Sequence, residues 1–118
     1  MHKEILTNEQ NKLLPLVAEF YEDFGLVGGT AIALHLGHRR SIDFDLFSEK
    51  KFGNQSILNK ISSFGVPDEI IVNRLDELTL IIKNVKITFF RYPYKIDYSE
   101  SFGYRIKMPN LLTLAAMK

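Results

Sequence analysis

Val27-Gly28-Gly29-Thr30-Ala31, followed by Arg39-Arg40-Ser41-Ile42-Asp43-Phe44-Asp45-Leu46-Phe47, is the stretch from which the fold is read, with Asp43 fourteen positions after Gly29. Before the glycine pair, Gly25-Leu26-Val27 reads as a short strand. After it, Ala31-Ile32-Ala33-Leu34-His35-Leu36 reads as a short helix stopped by Gly37. That helix is almost wholly apolar, so it is expected to be buried against a sheet. Asp43-Phe44-Asp45-Leu46-Phe47 alternates as a strand does, with Phe44 and Leu46 on one face and both aspartates on the other.

Residues two apart in a strand sit roughly 6.5–7 Å apart and point the same way, so Asp43 and Asp45 offer both carboxylates to one site. Two close anions repel, and a divalent cation relieves the repulsion. Hard oxygen ligands favour magnesium, or manganese in its place, held by one or two carboxylates together with substrate phosphates. Gly28 and Gly29 allow backbone to approach a phosphate, the helix that follows points amides at it, and Thr30 adds a hydroxyl. Either part alone is commonplace, since a Gly-Gly pair is often only a tight turn and acids on a strand face are usually just solvated. Together they suit phosphoryl or nucleotidyl transfer, in which the protein supplies positioning and charge.

Outward from this stretch, Thr7 and Gln10 have capping-box spacing, and Leu13, Leu14, Val17, Phe20, Tyr21 and Phe24 follow at helical spacing. Pro15 either kinks that helix or lies in its first turn, near Leu14. Asn54 is expected to cap a second helix that buries Ile57, Leu58, Ile61 and Phe64 and ends at Gly65. Residues 69–74, 78–82 and 85–91 form a predicted meander joined at Asp76-Glu77 and Lys83-Asn84. Residues 95–107 show no clear period and are read as a loop. Pro109 suits the first turn of a helix over 110–118.

With 118 residues, the chain has the size of one domain, 1–118, and its 46% hydrophobic and 25% charged residues describe a folded protein. Fifteen basic against fourteen acidic residues leave any polyanion site to local charge rather than to bulk field. The absence of cysteine excludes disulfide scaffolds, thiolate-bound zinc and thiol nucleophiles. No apolar run is long enough to span a membrane and the N-terminus lacks signal-peptide character, so a cytoplasmic protein is expected.

The glycine turn and the Asp-x-Asp strand resemble those of the nucleotidyltransferase superfamily, and more closely those of the AbiEii/AbiGii-like toxin nucleotidyltransferases. The likeness extends through Val85-Lys86-Ile87-Thr88-Phe89-Phe90-Arg91-Tyr92-Pro93-Tyr94 and into Ala115-Ala116-Met117-Lys118. It implies an α/β (α+β) domain in which helices pack on a small mixed β-sheet. It also implies that Asp43 and Asp45 bind metal and that Gly28, Gly29 and Thr30 contact a nucleoside triphosphate. The implied activity moves a nucleoside monophosphate to an acceptor, RNA such as tRNA or protein, in a toxin-antitoxin setting with an antitoxin partner.

Two departures accompany the resemblance. The superfamily commonly carries a third carboxylate on a neighbouring strand. Residues 85–91 contain none, with Thr88 in the corresponding place. Relatives continue into further C-terminal helices beyond the position of Lys118, which leads to the expectation of a domain lacking those helices, either as a fragment or as a shortened relative. The alternative function is therefore an inactive module of the same fold that binds nucleotide or protein. Among weaker candidates, Arg40 is preferred over Arg39 as a phosphate contact. His38 is read as a bystander and His35 as packed and hydrogen-bonded. The basic and aromatic run Phe90–Lys95 is read as a strand end with an aromatic cap in preference to an RNA-stacking surface.

Overall fold

In a computed structural model of the protein, which describes residues 2–37, 43–103 and 105–117, a 3-10 turn at Lys3–Ile5 leads into α1 (Asn8–Ala18). Thr7 and Gln10 form the expected reciprocal capping box, each side chain meeting the other's backbone amide at 3.0 Å. The helix starts there and carries Pro15 in its interior. It ends at Ala18, earlier than the apolar spacing suggests, and Phe20 and Phe24 pack edge-on against each other beyond its end.

The sequence then runs β1 (Gly25–Val27), α2 (Gly28–Leu36), β2 (Phe44–Ser48), α3 (Asn54–Ile61), β3 (Glu69–Arg74), β4 (Glu77–Ile82) and β5 (Val85–Arg91). The five strands form one mixed sheet in the order β1-β2-β5-β4-β3, with β2 and β5 parallel and the other neighbours antiparallel. The Lys83-Asn84 turn places both residues at positive φ, as a tight two-residue hairpin requires. This is the α+β arrangement expected of the sequence.

Strand alternation divides the sheet into two unlike faces. Phe44, Leu46, Leu78, Leu80, Ile87 and Phe89 are all buried on the first, and Phe20 and Phe24 pack edge-on to Phe89. Paired residues in neighbouring strands share a face, so the second face collects Asp45, Phe47, Thr88, Phe90 and Thr79. Burying the first set drives folding, since each large apolar side chain contributes about 1.5–3 kcal/mol when fully removed from water. The second set mixes polar and aromatic side chains, of which Asp45 and Phe47 line a cavity and Thr79 is buried.

Three expectations need correction. The 95–107 segment contains a hairpin, β6 (Glu100–Phe102) paired with β7 (Ile106–Met108), turning at Gly103 with φ +63°. Its three-residue strands are too short to show a period, although Phe102, Ile106 and Met108 are buried. Asn54 does not cap α3. The cap position is Gly53, and the Asn54 amide instead donates to Asn73 Oδ1 at 2.8 Å and to the Arg74 carbonyl at 2.9 Å, tying the helix start to the sheet edge. α3 also ends at Ile61 rather than running to Gly65. The last helix, α4 (Leu111–Ala116), is capped by Asn110, whose side chain accepts from Thr113 N at 2.8 Å. Among the described residues, no helix is long and apolar enough to cross a membrane.

Candidate functional site

The sheet register brings the two halves of the sequence motif together. Val27 lies directly opposite Asp45 in the antiparallel β1–β2 pair, so the start of α2 leaves the sheet beside that carboxylate. Gly28 makes the turn with φ +77°, a conformation that costs an L-residue about 1–2 kcal/mol. A Cβ added at Gly28 would fall on the Asp45 carboxylate oxygen and lie 3.0 Å from Asp45 Cγ. Glycine is therefore required there twice over, by conformation and by close approach.

Asp43 precedes the first residue of β2 and is half-buried. Its main-chain carbonyl accepts a hydrogen bond from the Thr30 hydroxyl. Thr30 is fully buried, so its side chain fastens the first turn of α2 to Asp43 rather than facing an open site. No side-chain cap closes the N-terminus of α2. The amides of a helix's first turn have no partner within the helix and carry the positive end of its dipole.

Burial raises the Asp45 carboxyl above the usual aspartate range. The nearby Asp43 charge pushes the same way, and Lys86 opposes both. An anion held in this way is stabilised by a cation, which is the condition a divalent metal satisfies. The fit is partial, because among the described residues no group of three His, Cys, Asp or Glu side chains converges on one point. On β5, Thr88 lies directly across from Asp45 and accepts a hydrogen bond from Thr79 Oγ1 at 3.2 Å. Asp43 and Asp45 are the two neighbouring carboxylates from which a divalent ion could be held.

A cavity of about 300 Å³ opens over this point, lined by Val27, Gly28, Ile32, Asp45, Phe47, Leu114 and Met117. One wall is the carboxylate and the glycine turn, and the rest is apolar. The position of α4 is fixed partly by His35, whose Nε2 lies 3.1 Å from the Pro109 carbonyl, as expected of a packed histidine. Sequence reasoning missed Ile32, Phe47, Leu114 and Met117 as parts of the site. Phe47 alone had a legible signal, being two residues after Asp45 on the same strand face. Leu114 and Met117 arrive through tertiary packing.

Phe47 continues outward into a row of rings, with Phe90 and Tyr92 each 5.4 Å from it and Tyr94 5.3 Å from Tyr92. The rings pack on one another, and Tyr94 at the end of the row is exposed. Beneath Phe47, Tyr98 donates to the Phe47 carbonyl at 3.3 Å, and burial followed by the Glu49 charge pushes its phenol up to about 12. Arg40 and Arg39, proposed as phosphate contacts, lie outside the described residues, as do His38 and Lys118.

The family described as "Nucleotidyl transferase AbiEii toxin, Type IV TA system" matches residues 16–116. An uncharacterized protein of Aquifex aeolicus (strain VF5) is 35% identical over 95 residues, covering 77% of this chain. The chain spans 46% of that relative's length. No solved structure matches the chain significantly.

Proposed function

Since the chain belongs to the AbiEii nucleotidyl transferase toxin family of type IV toxin-antitoxin systems, we propose that its site binds a nucleoside triphosphate with magnesium and transfers the nucleoside monophosphate to an acceptor hydroxyl. The observation that carries this reading is the register of Val27 with Asp45, which sets the N-terminus of α2 against the carboxylate pair. Family membership makes an antitoxin the expected partner, and the cytoplasm is the proposed setting.

In this reading Asp43 and Asp45 would hold the metal ion, which would supply charge neutralisation to the substrate phosphates. Main-chain amides at Gly28, Gly29 and Thr30 receive phosphate oxygens at the positive end of α2, and Arg40 adds a guanidinium contact. The Thr30 hydroxyl keeps Asp43 aligned through its carbonyl. Ile32, Phe47, Leu114 and Met117 exclude water from the base and sugar end of the cavity. The acceptor oxygen forms a bond to the α-phosphorus as the bond from that phosphorus to the bridging oxygen breaks. Pyrophosphate leaves, and the hydroxyl proton passes to solvent.

Incubation with magnesium, each labelled nucleoside triphosphate and total RNA, beside an Asp45→Asn variant, tests the reading. Label reaching RNA such as tRNA, or reaching protein, only when Asp45 is present supports transfer and identifies the acceptor. Equal labelling by the variant refutes it. A second reading rests on Thr88 standing opposite Asp45. With two carboxylates in place of three, the chain binds nucleotide or a protein partner without transfer, and metal-dependent binding with no label transferred is its signature.

A further inference from the structure

β3 is one of the two edge strands of the five-stranded sheet, tied to the start of α3 only through Asn54 at its Asn73–Arg74 end among the described residues, and its central residues Ile70, Ile71 and Val72 are apolar. Ile70 and Ile71 are each 46% exposed. Exposed edges are commonly blunted by lysine, by proline or by a bulge, and β3 carries only the bulge, at Ile71 between the Ile70 and Val72 pairings with β4.

Glu69 and Arg74 stand at the two ends of the strand. If a second copy of the strand runs antiparallel across a twofold axis between Ile71 and Val72, Glu69 of each copy faces Arg74 of the other. Ile70 then faces Asn73. Residues paired directly across two strands must share a face of the sheet. In an unbulged strand, positions 69 and 74 would lie on opposite faces and this register would fail. The bulge changes the parity. Glu69 pairs with Ile81 and Arg74 with Glu77, both on the face that carries Asp45, whereas Ile70 pairs with Leu80 and Asn73 with Leu78 on the core face. Every one of these cross-copy pairs is thereby matched in face, and the end pairs are matched in charge. Within its own chain Arg74 uses Nε and Nη2 to reach Glu77 Oε1, at 3.2 and 2.6 Å, which leaves the Nη1 side of its guanidinium for Glu69 of the other copy.

We propose that β3 is an interface through which two copies of this chain associate antiparallel, forming a continuous ten-stranded sheet with both candidate sites on the same face. Sedimentation of the unaltered chain up to roughly 100 µM then reveals a dimer. Glu69→Arg and Arg74→Glu each set like charges against one another twice, and each variant alone is expected to weaken self-association at least about tenfold. An equimolar mixture of the two variants restores both opposite-charge pairs and recovers the dimer. Circular dichroism verifies that each variant is folded. A monomeric unaltered chain, self-association untouched by either charge reversal, or a mixture no tighter than the separate variants would each overturn the proposal.

Discussion

Gly28→Ala, compared with Gly103→Ala, isolates the contact on which the candidate site is built. Both glycines adopt positive φ, +77° and +63°. Each replacement therefore carries about 1–2 kcal/mol of conformational cost, and each gains the same small benefit from a stiffer unfolded chain. Space separates them, because an added Cβ at Gly103 meets nothing within 4 Å, whereas at Gly28 it lands on the Asp45 carboxylate. Turning the Asp45 carboxylate off its rotamer into the adjoining cavity adds about 0.5–1.5 kcal/mol, so Gly28→Ala is expected to lose about 1.5–3.5 kcal/mol. Unfolding entropy of about 2.1 cal/mol/K per residue converts these losses for a 118-residue chain to roughly 6–14 °C in Tm for Gly28→Ala and roughly 4–8 °C for Gly103→Ala.

The cycle closes with Asp45→Ala, which removes the carboxylate and leaves Asp45 Cβ at 3.2 Å, a separation that neighbours accommodate by yielding a few tenths of an ångström. In that background Gly28→Ala falls to about the cost of Gly103→Ala, a coupling of about 0.5–1.5 kcal/mol. Thermal and denaturant unfolding followed by circular dichroism measure all four chains. Equal losses at the two glycines, with additive behaviour in the double variant, refute the close approach of the glycine turn to Asp45.

Asp45 binds its proton more tightly in the folded protein than in the unfolded chain, so without divalent cation stability falls as pH rises from the ordinary aspartate range through the raised folded value. Asp45→Asn removes that dependence, and unfolding at neutral pH in a chelator is expected to show the variant more stable than the parent. Thr88→Asp sets a third carboxylate across from Asp45. Titration calorimetry should then show magnesium binding tightened by roughly tenfold, the effect of about 1.4 kcal/mol of added attraction, while the metal-free chain loses stability. Tyr98, pushed up to about 12, stabilises the fold fully below its ordinary value near 10, and that stability is lost as pH climbs from there through about 12. Absorbance titration reads its midpoint, and Tyr98→Phe, which forfeits the bond to the Phe47 carbonyl, costs about 0.5–1.5 kcal/mol by denaturant unfolding.

Much of this architecture is written in local pattern. Thr7 with Gln10 marks a helix start through a bond pair spanning three residues. Lys83-Asn84 marks a hairpin because asparagine tolerates the required φ, and the alternation from Asp43 to Phe47 separates core from site. Where the signal is short or nonlocal, the sequence is mute. The β6–β7 hairpin has only three residues in each strand. Asn54 has the chemistry of a cap, but tertiary partners at Asn73 and Arg74 take its amide. Thr30 illustrates the same limit at the site itself, where a hydroxyl suited to phosphate is spent on the Asp43 carbonyl. The pairing of Asp45 with Thr88 was anticipated only through the resemblance, because parallel partners separated by 43 positions leave no local trace. The apolar walls from Leu114 and Met117 depend on how α4 docks, which no periodicity encodes.

The central claim is that Asp43, Asp45 and the start of α2 together form a metal-dependent nucleotide site. Equilibrium binding of labelled nucleoside triphosphates, with magnesium or with a chelator, to the parent chain and to Asp45→Asn tests it most directly. The account predicts binding by the parent that requires magnesium and is lost in a folded Asp45→Asn variant. Binding that survives both the chelator and the substitution would contradict it.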